Sequence, residues 1–401
     1  MLGARPLWVV LCHKIGCFLL RFLSWLGLSR ANPQGAQSGL DVDPSASVRH
    51  VAFYYAMTLA MGMAMALIFK ALHWPLPWML GPLLAVSLAS MLGFKTRSYV
   101  PLRNFGQWII GLALGLYFSP DNAHVIAQMW WVIVLSVIWA LFIGALFGAF
   151  LYALNRHSIA GLTLGTCVFS SAIGGASEMT LLAEREKVRT DLVASAHSMR
   201  VMVIALVIPF TLKGLGIQGS NALLANVHEF DLMGFGMLCV LSGISVFFLK
   251  KWGRANPWFL GALLLSMGLA TDGIYLSGVP AWMVNAGQMF LGVSLGVRFT
   301  KEFIKMAPRW LLSVVIGSLL LVIACSGFAY LMAELDDQNL LTLILGTAPG
   351  GIAEMALTAK ALQLAAPLVT SLQVCRLISV LFLLEPFYRH FIKKFEKSPQ
   401  S

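Results

Sequence analysis

NFGQWIIGLALGLYF occupies residues 104–118, and NAGQMFLGVSLGVRF occupies residues 285–299. Both keep an asparagine, a Gly-Gln pair and two later glycines four residues apart in an otherwise apolar run. Glycine inside a helix costs about 1 kcal/mol relative to alanine, so matched glycines on one helical face imply that another helix packs closely there. Further blocks recur around this pair in the same order. PWMLGPLL at 77–84 matches PWFLGALL at 257–264, and GGASEM at 174–179 matches GGIAEM at 350–355. Arg200 follows Glu178, and Arg376 follows Glu354, at the same spacing. The chain is an internal duplication.

Composition sets the solvent in which the two halves fold. Of 401 residues, 59% are hydrophobic and only 11% charged, and the mean hydropathy is +0.81. Too little polar surface remains to coat a soluble body. Apolar runs of about 20 residues, the length that crosses about 30 Å of hydrocarbon, recur along most of the chain. Such segments satisfy their backbone groups in lipid as helices. The expected fold is therefore an all-α polytopic membrane protein. The formal charge of +11 follows the positive-inside pattern of short loops rather than a nucleic-acid footprint, so no direct nucleic-acid partner is expected.

Residues 1–50 differ from the rest. The stretch 7–28 is apolar but carries Lys14 and Arg21 on one helical face, which predicts an amphipathic helix lying in the membrane interface, followed by a linker. The first membrane repeat is expected at 51–228, the second at 229–390, and a cytoplasmic tail at 391–401. Loop charge orients them. Lys95, Arg97, Arg103 and Arg156 mark alternate loops of the first half, with Asp121 between, and the half closes near Glu229 and Asp231. Lys250, Lys251, Arg254, Lys301, Lys305 and Arg309 mark the second half's basic loops, against Asp272, Glu334, Asp336 and Asp337. Lys70 and Lys213 are the exceptions. Basic loops face the cytoplasm, so the second repeat enters from the opposite side. Two inverted-topology repeats of about five spans each follow, with a re-entrant or broken helix before each glycine pair. The expected spans are 51–70, 74–94, 103–119 and 127–152, with counterparts at 231–249, 256–276, 280–298 and 310–333. Inverted repeats with interrupted helices are the recurring plan of secondary transporters.

The candidate site is the duplicated polar set. Gly174, Gly175, Gly350 and Gly351 break their helices and let backbone approach a ligand. Glu178 and Glu354 then lie in the first turn of a new helix, either as capping residues or as contacts to a coupling ion, a proton or substrate. Arg200 and Arg376, deep in their spans, either pair internally with the glutamate of their own half or present a planar fork to an anion. Gln107, Gln288, Asn104 and Asn285 place carboxamides on the glycine-rich helices, where bonding between helices is the plainer role. Trp78 and Trp258 read as interfacial anchors, and Ser170, Ser171 and Thr347 offer hydroxyls beside the breaks. The six cysteines and eight histidines form no CxxC, HExxH or other ligand spacing, so no metal, no cofactor and no enzyme activity are expected.

The duplicated PWxLGPLL, NxGQxxxGxxLG and GGxxEM blocks with a later intramembrane arginine resemble the AbrB family of bacterial inner-membrane proteins, over about residues 51–390. The resemblance implies a multi-pass protein of the bacterial inner (cytoplasmic) membrane, described for some members as a transporter, for others as a regulator of gene expression or an ammonia monooxygenase. It carries no catalytic residues with it. The reading that follows is a secondary transporter of a small anionic or amphiphilic solute, coupled to protons or sodium, with the lipid bilayer and a small-molecule substrate as partners and a homo-oligomer left open. The alternative is a membrane sensor that affects gene expression indirectly.

Overall fold

A computed structural model describes residues 48–214, 229–252, 256–335 and 339–392. The amphipathic helix expected at 7–28 lies outside them. The described chain consists of sixteen α-helices joined by short turns, ending in a π-helical turn at Tyr388–Ile392. The first half holds α1 (Val48–Ala71), α2 (Pro77–Met91), α3 (Val100–Gly115), α4 (Pro120–Gln128), α5 (Trp130–Asn155), α6 (Leu164–Ser171), α7 (Ala176–Arg185) and α8 (Thr190–Gly214). The second half holds α9 (Leu232–Lys251), α10 (Pro257–Thr271), α11 (Ala281–Gly296), α12 (Lys301–Met306), α13 (Pro308–Leu335), α14 (Leu340–Thr347), α15 (Ile352–Ala361) and α16 (Ala366–Phe387). Element for element the order repeats. The lengths match in four of the pairs: 15 residues in α2 and α10, 16 in α3 and α11, 8 in α6 and α14, and 10 in α7 and α15.

Six helices, α1, α5, α8, α9, α13 and α16, are long and apolar enough to cross a membrane. The second and third segments of each half are shorter than their hydropathy suggests, because local geometry starts and stops them. Leu76 and Asn256 take left-handed backbone (φ 44° and 46°) immediately before Pro77 and Pro257, while Gly93 and Gly273 (φ 94° and 74°) end the runs. At 1.5 Å per residue these helices reach only about 22–24 Å. Burial separates the long helices into two kinds. Of the apolar windows of α8 and α16, 61% and 65% lie inside the protein, against 22% and 17% for α1 and α9. The first two form the axis and the last two face lipid.

The glycines of the opening blocks hold the bundle together across the duplication. A Cβ at Gly106 would come within 2.6 Å of the Gly287 carbonyl oxygen, and one at Gly287 within 3.1 Å of the Gly106 oxygen. Equivalent residues of α3 and α11 thus meet reciprocally at a crossing of backbones. Farther along, Gly111 and Gly115 receive the backbone of α10 at Phe259 and Leu263, while Gly292 and Gly296 receive that of α2 at Met79 and Leu83. Small residues permit this approach, and van der Waals packing rather than hydrophobicity then drives association in lipid. Gly111→Ala puts a methyl about 2.5 Å from the Phe259 oxygen, so it should lower stability by roughly 1–3 kcal/mol. Gly268→Ala, with nothing within 4 Å, should be neutral or stabilising by up to about 1 kcal/mol. Thermal midpoints in detergent measure both.

α6 and α7, with their counterparts α14 and α15, are too short to cross and form helical hairpins. The N-terminus of α6 and the C-terminus of α7 lie together: the Arg189 N–H donates to Thr166 Oγ1 at 3.4 Å. The C-terminal end of α16 sits at this mouth, where the Tyr388 ring covers Gly165 and Arg389 pairs with Glu186 at 2.7 Å. At the other hairpin, Leu341 clusters with Leu362 and Leu364, and there the covering residue is Leu212, near the C-terminal end of α8. α8 and α16 therefore run in opposite senses, and the two hairpins open toward opposite ends of the bundle. Each glycine break rests on the other half's axial helix, Gly174 against Val380 and Gly350 against Ile204.

Candidate functional site

Where α6 and α14 stop, at Ser171 and Thr347, their last carbonyls lose their helical donors and carry the negative end of the helix dipole. Arg200 and Arg376 supply the missing donors. Arg200 Nη1 donates to the Ser171 oxygen at 3.0 Å, and Nη2 to the Ala172 oxygen at 3.0 Å. Arg376 Nη1 donates to the Ala348 oxygen at 2.7 Å and the Thr347 oxygen at 3.4 Å, and Nη2 to the Gly350 oxygen at 3.3 Å. Both arginines are buried, 2% and 4% exposed. A guanidinium suits this task because its fixed fork meets several planar acceptors at once.

A second polar residue steadies each fork from one helical turn earlier. His197 Nε2 lies 2.9 Å from the Phe169 oxygen, which leaves Nδ1 to accept from Arg200 Nη2 at 2.9 Å. Gln373 does the same with an amide: Nε2 donates to the Leu345 and Ala348 oxygens at 2.7 and 3.0 Å, and Oε1 accepts from Arg376 Nη2. The sequence reading missed this pair, although each stands three residues before its arginine, the spacing that puts two side chains on one helical face. The forks are nearly but not fully used. The Nε of Arg200 and of Arg376 is buried without an acceptor among the described residues.

Of the two roles open to Arg376, the ion pair with the glutamate of its own half is not made, and its fork goes to backbone carbonyls instead. The ion pairs of Arg189 with Asp191 and of Arg389 with Glu186 both lie away from the breaks. Glu354 is instead the third residue of α15, behind Gly351 as N-cap, and its carboxylate folds into the space a Cβ on Gly351 would fill. A glycine N-cap brings no side chain to the free N–H groups, so the acid at the third position answers the helix's positive end. Glu354 is 8% exposed. Glu178 holds the same backbone position in α7; its side chain lies outside the described parts.

The duplicated charges have an unduplicated neighbour. Arg298, just beyond α11, lies within electrostatic reach of Glu354 and of Arg103, and its Nη1 donates at 3.5 Å to Ser198 Oγ on α8. The first repeat has Tyr117 at the matching place in its block. Around this centre, Asn104 Oδ1 accepts from Arg103 Nη2 at 3.4 Å. Gln288 is buried and Gln107 and Asn285 half-buried, on the turns that flank the Gly106–Gly287 crossing. Ser170, Ser171 and Thr347 spend their hydroxyl protons on carbonyls of their own short helices, at 2.7, 3.0 and 2.8 Å. Among the described residues no group of three His, Cys, Asp or Glu could hold a metal ion.

Comparison with known proteins agrees with the duplicated blocks. The family model described as "Transition state regulatory protein AbrB" matches residues 78–392. The chain is 27% identical over 351 residues to "Uncharacterized protein YhjN" of Bacillus subtilis (strain 168), covering 80% of this chain and 90% of that one. It is 26% identical over 338 residues to "Putative regulator AbrB" of Escherichia coli (strain K12), covering 82% and 93%. With its helical build and its long apolar spans, the chain belongs to the AbrB family and is an all-α, multi-pass membrane protein.

Proposed function

We propose that the protein is a secondary transporter of a small anionic solute in the bacterial cytoplasmic membrane, built from two inverted repeats. The observation that carries this reading is the pair of broken hairpins that open toward opposite ends and meet, glycine break against axial helix, at the centre of the bundle. Interrupted helices facing one another across a two-fold are where such carriers bind substrate. Arg298 and the two leftover arginine N–H groups favour an anion there, because a buried donor without an acceptor costs stability until a ligand supplies one. Glu354 is the coupling group: a carboxylate at a helix N-terminus binds a proton or sodium when the substrate's charge is present and releases it when that charge leaves. The reading involves no catalytic centre.

A second reading, a sensor that binds the same class of solute and acts on gene expression through a partner, takes its support from the name of the Escherichia coli relative. Sealed proteoliposomes separate the two. A carrier accumulates labelled small carboxylates or phosphates under an imposed proton or sodium gradient, whereas a sensor binds them with no gradient-dependent uptake. Orientation has its own test, with cysteines introduced at Ser158 and Glu334, one at each hairpin mouth. An impermeant thiol reagent should reach the two from opposite faces of the membrane, and labelling of both from one face would rule out the alternating arrangement.

A further inference from the structure

A cleft with a largely apolar lining and a few polar groups lies apart from the central site, at the connection between α2 and α3. It is lined by Tyr55, Leu59, Arg97, Ser98, Tyr99 and Phe290, among others, and encloses about 230 Å³ counted to its open mouth. Shielded from solvent, it has room for little more than one water-sized group. Arg97 is fixed by its backbone N–H, which donates to Thr58 Oγ1 of α1 at 3.1 Å. Its Nη1 is buried with no acceptor among the described residues. Tyr99 stacks edge-on against Tyr55 at 5.6 Å and caps the N-terminus of α3 without a side-chain bond. Burial, and next to it the neighbouring Tyr55, push the Tyr99 phenol's pKa up from its ordinary value, so the hydroxyl remains a donor at neutral pH.

The duplication shows that the fold does not require this chemistry. Gly278, Val279 and Pro280 precede α11 where Arg97, Ser98 and Tyr99 precede α3. Ala66 and Val246 pack equivalently on Gly81 and Gly261, which aligns Tyr55 with Phe235 and Leu59 with Cys239. The same scaffold thus appears twice, and only one copy carries the guanidinium and the hydroxyls. The polar end of the cleft abuts apolar Leu59 and Phe290, and the exposed Lys95 lies two residues before Arg97. A half-buried guanidinium with its Nη1 buried, hydroxyl donors and a helix N-terminus fit a phosphate oxygen, and a basic pocket between membrane helices beside an apolar wall fits the phosphate of a lipid.

We infer that the cleft between α1, α11 and the α2–α3 connection is a binding site for an anionic phospholipid, with one phosphate oxygen on Arg97 and the acyl chains along Leu59 and Phe290. The test uses the full chain purified in detergent and delipidated, with the thermal midpoint read against added dioleoyl phosphatidylglycerol, dioleoyl phosphatidylcholine or inorganic phosphate. Phosphatidylglycerol should raise the wild-type midpoint, and Arg97→Gln should weaken its apparent affinity by roughly tenfold or more, the worth of a charge-assisted hydrogen bond. Arg97→Lys should keep part of the response. Ser98→Glu, at the cleft wall, should abolish it by repulsion and serves if Arg97→Gln fails to fold. An equal response of wild type and these variants overturns the site. A midpoint shift produced by inorganic phosphate alone, with nothing added by lipid, overturns the lipid and leaves free phosphate as the ligand. An equal response to phosphatidylcholine overturns the charge recognition.

Discussion

Arg376→Ala should cost the protein about 2 kcal/mol, at about 1 kcal/mol or more for each carbonyl left without a donor. The oxygens left without that donor are those of Thr347 and Gly350, while the Ala348 oxygen keeps Gln373 Nε2. Gln373 would lose the donor to its Oε1 as well. Arg376→Lys should recover only part of the loss, because one ammonium cannot reach acceptors spread over both arms of a fork. Arg200→Ala should behave alike at the first break. The measurement is the thermal midpoint and the yield of monodisperse protein. If Arg376→Ala melts with the wild type, the arginine is not what closes the helix, and its burial needs another cause. This outcome also decides how transport data on these positions are read, since lost uptake in an unfolded variant says nothing about substrate.

Glu354→Gln should separate folding from function in the other direction. Glutamine at the third helical position still reaches the N-cap, so the midpoint should move by less than about 1 kcal/mol. Gradient-driven uptake should fall by at least roughly tenfold, because the negative charge within electrostatic reach of Arg298 and of any coupling ion is gone, and coupling between two sites is typically worth about 1–3 kcal/mol. Retained uptake with an unchanged dependence on the gradient would remove Glu354 from coupling. Arg298→Gln is the companion: it should leave the helix caps intact and reduce uptake of an anion more than that of a neutral analogue.

The sequence showed much of this architecture because the duplication wrote it twice. Glycines at 106, 111 and 115 and at 287, 292 and 296 announced a close crossing, and the GG pairs announced interrupted helices, since glycine spacing maps directly onto backbone contact. The roles of the arginines were not legible. In a list of charges, a buried arginine near a buried glutamate suggests an ion pair. The competing acceptors here are backbone carbonyls, which every residue carries and no sequence displays. His197 and Gln373 were hidden for a related reason: as a histidine and a glutamine they do not look alike, and they are equivalent only in accepting from an arginine while reaching a carbonyl. Arg298 was visible in the opening stretch, opposite Tyr117, but attention to what the halves share passes over what they do not.

The crosswise seating of α2 on α11 and of α10 on α3 bears on how the chain is made. The first half leaves its glycine grooves vacant until the second has been synthesised, so neither half is a unit that matures alone. Assembly must wait for the later helices to insert. Two half-length polypeptides produced together, cut in the stretch between α8 and α9, ought to find each other and reconstitute the whole bundle, while either one alone would offer its bare grooves to whatever helix passes.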